Sequence, residues 1–178
     1  MKIKFIIVLV LLSLITAGYA SDDEVKPRKT KNPNITLYYA DLLGGGSNML
    51  VEVEYKSLPE PVTEVRAKIN KKGEIIDSFS IPGKIREIQF KELNFDRKQR
   101  IIITFDGKNN ISNIVIYQFN DKRLAKIFSA SSAFGIETDF RAASRVKIGR
   151  SFQPEDSPNC IPDWDTWIWI GDKFIKEN

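Results

Sequence analysis

The run Pro162-Asp-Trp-Asp-Thr-Trp-Ile-Trp169 concentrates the side chains with the most chemistry to offer. On an extended strand Asp163 and Asp165 share a face, roughly 6.5–7 Å apart, a spacing compatible with two-carboxylate hydrolysis of a glycosidic bond. The same two acids also suit a turn entering a strand. Around them stand Trp164, Trp167 and Trp169, and alternation puts Trp167 and Trp169 on one face with Ile168 and Ile170 on the other. An exposed tryptophan face offers a flat platform for a sugar ring or a partner protein; a buried one is a core layer. Just upstream, Arg141, Arg145, Lys147 and Arg150 form a basic cluster, with Arg145 and Lys147 on one strand face. Such a cluster either contacts a polyanion or envelope surface or is a solvated face.

Other chemistries are excluded by residue type. The chain has no histidine, which removes histidine-dependent triads and histidine-ligated metals, and the single Cys160 has no such partner to activate it. Gly44-Gly-Gly46-Ser47 is not followed by the Gly-Lys-Ser/Thr of a phosphate loop and leads into a strand, so it reads as a tight turn. No catalytic set emerges.

The elements that position these residues are strands. From Ile35 onward apolar residues recur in short bursts rich in Val, Ile, Phe, Tyr and Thr, bounded by turn residues. The pattern predicts strands near 35–39, 49–56, 62–69, 74–81, 85–91, 100–105, 112–119, 123–129, 133–138, 145–149, 166–170 and 173–177. In Val65-Arg-Ala-Lys-Ile69 the odd positions face a core and the even ones water. Ile101-Ile-Ile103 lacks alternation and fits a strand covered on both faces. The third group of strands is interrupted by Ser151–Pro162, which contains three prolines.

Ahead of the strands, residues 1–20 have the layout of a cleavable secretory signal: Lys2 and Lys4, an apolar run from Phe5 to Ala17, then Gly18-Tyr19-Ala20. Residues 21–34 read as a flexible tail, and 35–178 as a single β-repeat domain. Removing the signal takes two lysines from a formal net charge of +4 and leaves a nearly balanced chain, which gives no argument for nucleic acid. No later apolar run is long enough to span a membrane. A secreted or periplasmic location follows, with Cys160 buried or paired between chains. Asn34-Ile-Thr36 and Asn110-Ile-Ser112 are glycosylation sequons.

One landmark recurs at a period of roughly fifty residues, the scale of repeat architectures. It is an acidic residue, an apolar one, a polar loop and then an apolar strand, at Asp41-Leu42, Glu92-Leu93 and Asp139-Phe140. At these loops the chain resembles the FG-GAP repeats of integrin-α-like β-propellers, whose acidic loops hold calcium. That resemblance implies three four-stranded antiparallel, propeller-blade-like units; a β-trefoil or β-sandwich is the alternative. Carried over by position, the metal ligands here are degenerate. Asp41 stands with Leu43, Gly45 and Met49; Glu92, Asn94 and Asp96 stand with Arg100; the third loop offers Asp139. The resemblance therefore implies relic loops with neither metal nor cofactor.

Pairing of Ile35–Tyr39 with the strand near 173–177 would close the ends of such an arrangement, and self-association is another route to covering them. The sequence points to a secreted or periplasmic, non-catalytic β-repeat domain binding a protein or cell-envelope partner through Trp164, Trp167, Trp169, Arg145 and Lys147. The alternative is a carbohydrate-active enzyme or carbohydrate-binding module built on the Asp/Trp-rich segment.

Overall fold

In the computed structural model the described residues are 25–57, 59–69, 73–93, 96–120, 122–140, 144–152 and 162–177. The expected signal segment, Asn94, Arg141 and Cys160 lie outside them.

Thirteen strands form three antiparallel sheets. The first contains β1 (Arg28–Lys29), β2 (Ile35–Ala40), β3 (Met49–Lys56), β4 (Val62–Ile69) and β5 (Glu74–Pro82). The second contains β6 (Ile85–Glu92), β7 (Gln99–Asp106), β8 (Ser112–Asn120) and β9 (Arg123–Ser132). The third contains β10 (Ile136–Asp139), β11 (Arg145–Phe152), β12 (Pro162–Ile170) and β13 (Lys173–Lys176). In every sheet the strands lie side by side in chain order, as short connections dictate.

Two cores hold the sheets in series. Val51, Val65, Ala67 and Ile81 of the first sheet meet Phe90, Ile101, Ile103 and Phe105 of the second. Ile102, Ile114 and Ile116, on the opposite face of the second sheet, meet Val146, Ile148, Trp169 and Phe174 of the third. Ile101, Ile102 and Ile103 are all at most 2% exposed. The unbroken apolar run is thus the mark of a sheet covered on both sides.

The recurring acid–apolar landmark lies at the hairpin β2–β3, β6–β7 or β10–β11 inside a sheet, not at the start of a unit. Its apolar residue plugs the seam to the following sheet. Leu42 (1% exposed) enters the first core and Leu93 (5%) the second, each burial worth about 1.5–3 kcal/mol. Backbone contacts fix both plugs. The Gln99 amide donates to the Asp41 carbonyl at 2.8 Å, the Asp41 amide donates to Gln99 Oε1 at 2.8 Å, and Ser144 Oγ donates to the Leu93 carbonyl at 2.7 Å.

These facts overturn the blade-like, FG-GAP-type reading. The three sheets are discrete, and none curls into a blade or closes with the others into a ring. The physical reason lies at the ends. Ile35–Ala40 has both edges occupied, by β1 and β3, and β13 pairs with β12. The expected closure of 35–39 onto 173–177 is absent among the described residues, and the second and third sheets begin one strand earlier than the repeat suggested, the first two strands earlier. The trefoil alternative fails too, since no strand pairing joins one sheet to the next. Val25 packs against the first core and Arg28–Lys29 extends the first sheet ahead of Ile35. Among the described residues, no helix is long and apolar enough to cross a membrane.

Candidate functional site

The series of sheets has two outer faces, and their chemistry differs. On the first sheet, Glu52, Glu54 and Lys56 of β3 and Glu64, Arg66 and Lys68 of β4 face outward, with Leu50 and Val62 at the ends of these rows, and the charges are mutually satisfied. Arg66 donates to Glu52 and Glu54, each at 2.7 Å, and to Glu64. Lys68 reaches Glu52 at 2.7 Å and Lys56 reaches Glu64 at 2.6 Å. The hydrogen bonds from Arg66 and Lys56 hold Glu64 below the usual carboxylate range. Burial pushes Glu52 up, but Lys68 and Arg66 outweigh it and leave it lowered. Arg66 is in turn raised, first by Glu64. This lattice puts paired charges over the middle of the outer face.

The outer face of the third sheet has a different composition. Register puts Ile168 opposite Arg145 on one side and Ile175 on the other, and Thr166 opposite Lys147. Paired residues share a face, so Ile168, Ile170 and Ile175 form a patch beside Arg145 and Lys147. Ile170 is 55% exposed and Ile175 40%. Trp164 lies farther along the same face, opposite Gly149. Glycine is required there: a Cβ on Gly149 would stand 2.9 Å from the Phe134 carbonyl oxygen. The close approach lets the Gly149 amide donate to the Gly135 carbonyl at 3.0 Å. The cations on this face are loosely held. Arg145 lies 4.0 Å from Glu177 and Lys147 3.7 Å from Glu137, all four side chains being 44% exposed or more, a regime in which ion pairs contribute little.

The expected binding residues therefore separate. Trp164, Arg145 and Lys147 share the outer face. Trp169 is buried in the second core and Trp167 packs against it, with Trp169 edge-on to Phe174 at 5.2 Å and Trp167 edge-on to Phe128 at 5.7 Å. These two are a core layer. The isoleucines take the place on the outer face that the tryptophans vacate. Alternation had already put Ile168 and Ile170 opposite Trp167 and Trp169; what it lacked was the sign of the face.

Asp163 and Asp165 do share a side, and both are engaged. Arg150 reaches Asp163 and Asp165 at 2.9 Å each, and Lys176 reaches Asp165 at 3.0 Å. A guanidinium sits between the two carboxylates, where a glycosidase needs room for the sugar.

Two of the loop acids, Asp41 and Asp96, are engaged by the fold, although Asp41 Oδ1 is buried without a hydrogen-bond partner. Asp41 Oδ2 accepts from the Gly46 amide at 2.6 Å, across a loop whose Gly44, Gly45 and Gly46 all have positive φ, a region glycine enters without strain. Arg100, only 2% exposed, takes the place of a cation in the second loop. It donates to Asp96 Oδ2 at 2.6 Å, to the Lys98 carbonyl at 2.6 Å and to Gln118 Oε1 at 3.1 Å. It also lies 5.6 Å from the Trp169 ring centre. Burial pushes the Asp96 carboxyl up, but Arg100 and the Lys98 amide outweigh it and hold it below the usual range. Glu92 is the last residue of β6 and pairs with Gln99, while Asp139 ends β10 opposite Arg145. Among the described residues no three metal-ligating side chains converge.

A cleft of about 250 Å3 also opens where Tyr38, Tyr55 and Thr63 of the first sheet meet Lys84, Ile85 and Arg86 at the start of the second. Comparison with protein-family models, curated proteins and solved structures gives no match.

Proposed function

We propose that the chain is an exported, non-catalytic β-domain that binds a protein or cell-envelope partner through the outer face of its third sheet. The observation that carries this reading is the contrast between the two terminal faces. On one, a lattice of satisfied ion pairs fills the centre and the exposed Tyr39 and Ile75 stand apart at opposite edges; on the other, Ile168, Ile170 and Ile175 lie together, with Trp164 farther along, beside loosely paired Arg145 and Lys147. Contiguous apolar surface with a charged border is the composition of contact surfaces. Export rests on the N-terminal Lys2/Lys4, apolar run and Ala20 pattern. The carbohydrate-hydrolysis alternative loses support from the Arg150 clamp on Asp163 and Asp165.

The test compares two surface isoleucines. Ile170→Glu on the third sheet should abolish retention of the full chain on envelope extract, while Ile75→Glu, at a 51% exposed position on the first sheet, should leave it intact. Equal retention by both variants and the parent would remove the basis of the proposal.

A further inference from the structure

The outer face of the third sheet is patterned to meet itself. We propose that it is the contact between two copies of this chain, related by a two-fold axis running along β12. This rests on the reading of that face as a contact surface and names its occupant.

The argument begins with charge. Arg145, Lys147 and Lys173 share the face with Glu137, Asp139 and Glu177, three cations against three acids. A balanced face is a poor match for a polyanion or a strongly acidic partner, and a good match for a surface of equal composition. The rows also select one arrangement. Strand order across the sheet is β10-β11-β12-β13, and Glu137, Lys147, Thr166 and Glu177 lie at one level across it. A two-fold axis along β11 stacks Arg145 on Arg145 and Lys147 on Lys147. An axis midway between β11 and β12 sets Glu137 over the partner's Glu177. An axis along β12 instead sets Lys147 over the partner's Glu177, lays Arg145 across the partner's Ile175, and seats Ile168 and Ile170 on their own counterparts. Of these three placements, this one alone sets a lysine over a glutamate and isoleucines over isoleucines. Packed sheets stand about 10 Å apart, a gap that a lysine and a glutamate bridge together. The present pairs of Lys147 and Glu177, at 3.7 and 4.0 Å and half exposed, contribute little and are readily broken, while desolvation of the exchanged charges keeps the contact weak.

Area sets the strength. About that axis only β11, β12 and β13 overlap, and three strands about 4.8 Å apart and some seven residues long give a flat footprint of about 340 Å2. Even with side-chain relief this falls short of the ~800 Å2 per partner of a stable interface and belongs with weak, transient contacts. The dimer is therefore concentration-dependent, not obligate, and a tighter-binding partner displaces it.

Sedimentation velocity of the full chain, from about micromolar to about millimolar, tests the proposal. The mass should rise from 20.3 kDa towards twice that value. Lys147→Glu and Glu177→Lys should each weaken dimerisation at least about tenfold, and the double swap should restore it to within about threefold of the parent. Unchanged far-ultraviolet circular dichroism shows that each variant folds. A monomer throughout the range, or a double swap no better than the single changes, overturns the proposal. If the chain stays monomeric yet Ile170→Glu still abolishes retention on envelope extract, only the self-contact falls. If retention is also unaffected, the contact surface itself is wrong.

Discussion

The buried Arg100 makes an asymmetric demand on stability. Its side chain is 2% exposed, whereas that of its partner Asp96 is 30% exposed. Asp96→Ala leaves a guanidinium inside the seam between the second and third sheets with only the Lys98 carbonyl and Gln118 as partners. Breaking a fully buried pair costs about 3–5 kcal/mol. Because Asp96 reaches water and two other acceptors remain, we expect about 2 kcal/mol, or a melting point about 4–8 °C lower for a chain of this size. Arg100→Met removes the charge together with its need for partners. Asp96 then turns to solvent, and the loss reduces to the contact with Trp169, about 0.5–1 kcal/mol. Removing the exposed acid should thus cost more than removing the buried base, and the double variant should resemble Arg100→Met alone. Urea unfolding followed by tryptophan fluorescence is a suitable assay, since Trp169 adjoins the guanidinium. If Arg100→Met costs as much as Asp96→Ala or more, the view of Asp96 as the counterion to a trapped cation is refuted.

Three further outcomes follow from the same geometry. Because Asp96 is lowered in the fold, its stabilisation is fully present above the unfolded carboxylate value of 3.8 and disappears as pH falls through the folded value; the parent should lose more stability than Asp96→Ala between pH 5 and the acid limit, and parallel losses would contradict the pairing. Leu93→Ala should cost about 2–5 kcal/mol, because this 5% exposed side chain plugs the second core, and a change below 1 kcal/mol in urea unfolding would show that the plug is dispensable. Calcium and a chelator should both leave the melting temperature unchanged, since Arg100 occupies Asp96 and the Gly46 amide occupies Asp41 Oδ2; a site held at a hundred times its dissociation constant would add about 2.7 kcal/mol, a rise that differential scanning calorimetry resolves.

Local periodicity carried the strands, and it carried the sides of most of them. Met49, Val51 and Val53 alternate with Leu50, Glu52 and Glu54, and the structure buries the first set. What periodicity could not supply was grouping. The landmark at Asp41, Glu92 and Asp139 does not open a unit; it lies in a hairpin, and Leu42 and Leu93 insert into the seams between sheets. A contact to a strand more than fifty residues on leaves no local trace, and the repeat was read as the start of a unit. β1 was missed for a related reason: Arg28 and Lys29 are two charged residues with no apolar alternation, paired by register with Leu37 and Thr36. The tryptophans show the same limit at the candidate site. Alternation separated Trp167 and Trp169 from Ile168 and Ile170, but either face of a terminal strand can turn inward. Stacking on the second sheet decided it, drawing in the larger rings, which bury more surface.

Isoleucine-methyl NMR tests the central claim most directly, because the contact face and its control carry the same residue type. Methyl signals of Ile168, Ile170 and Ile175 should broaden or shift when the full chain is concentrated or given envelope extract, while Ile75, equally exposed on the first sheet, should stay sharp. If those three signals stay unchanged under both conditions, or if Ile75 moves with them, the outer face of the third sheet is not the contact surface.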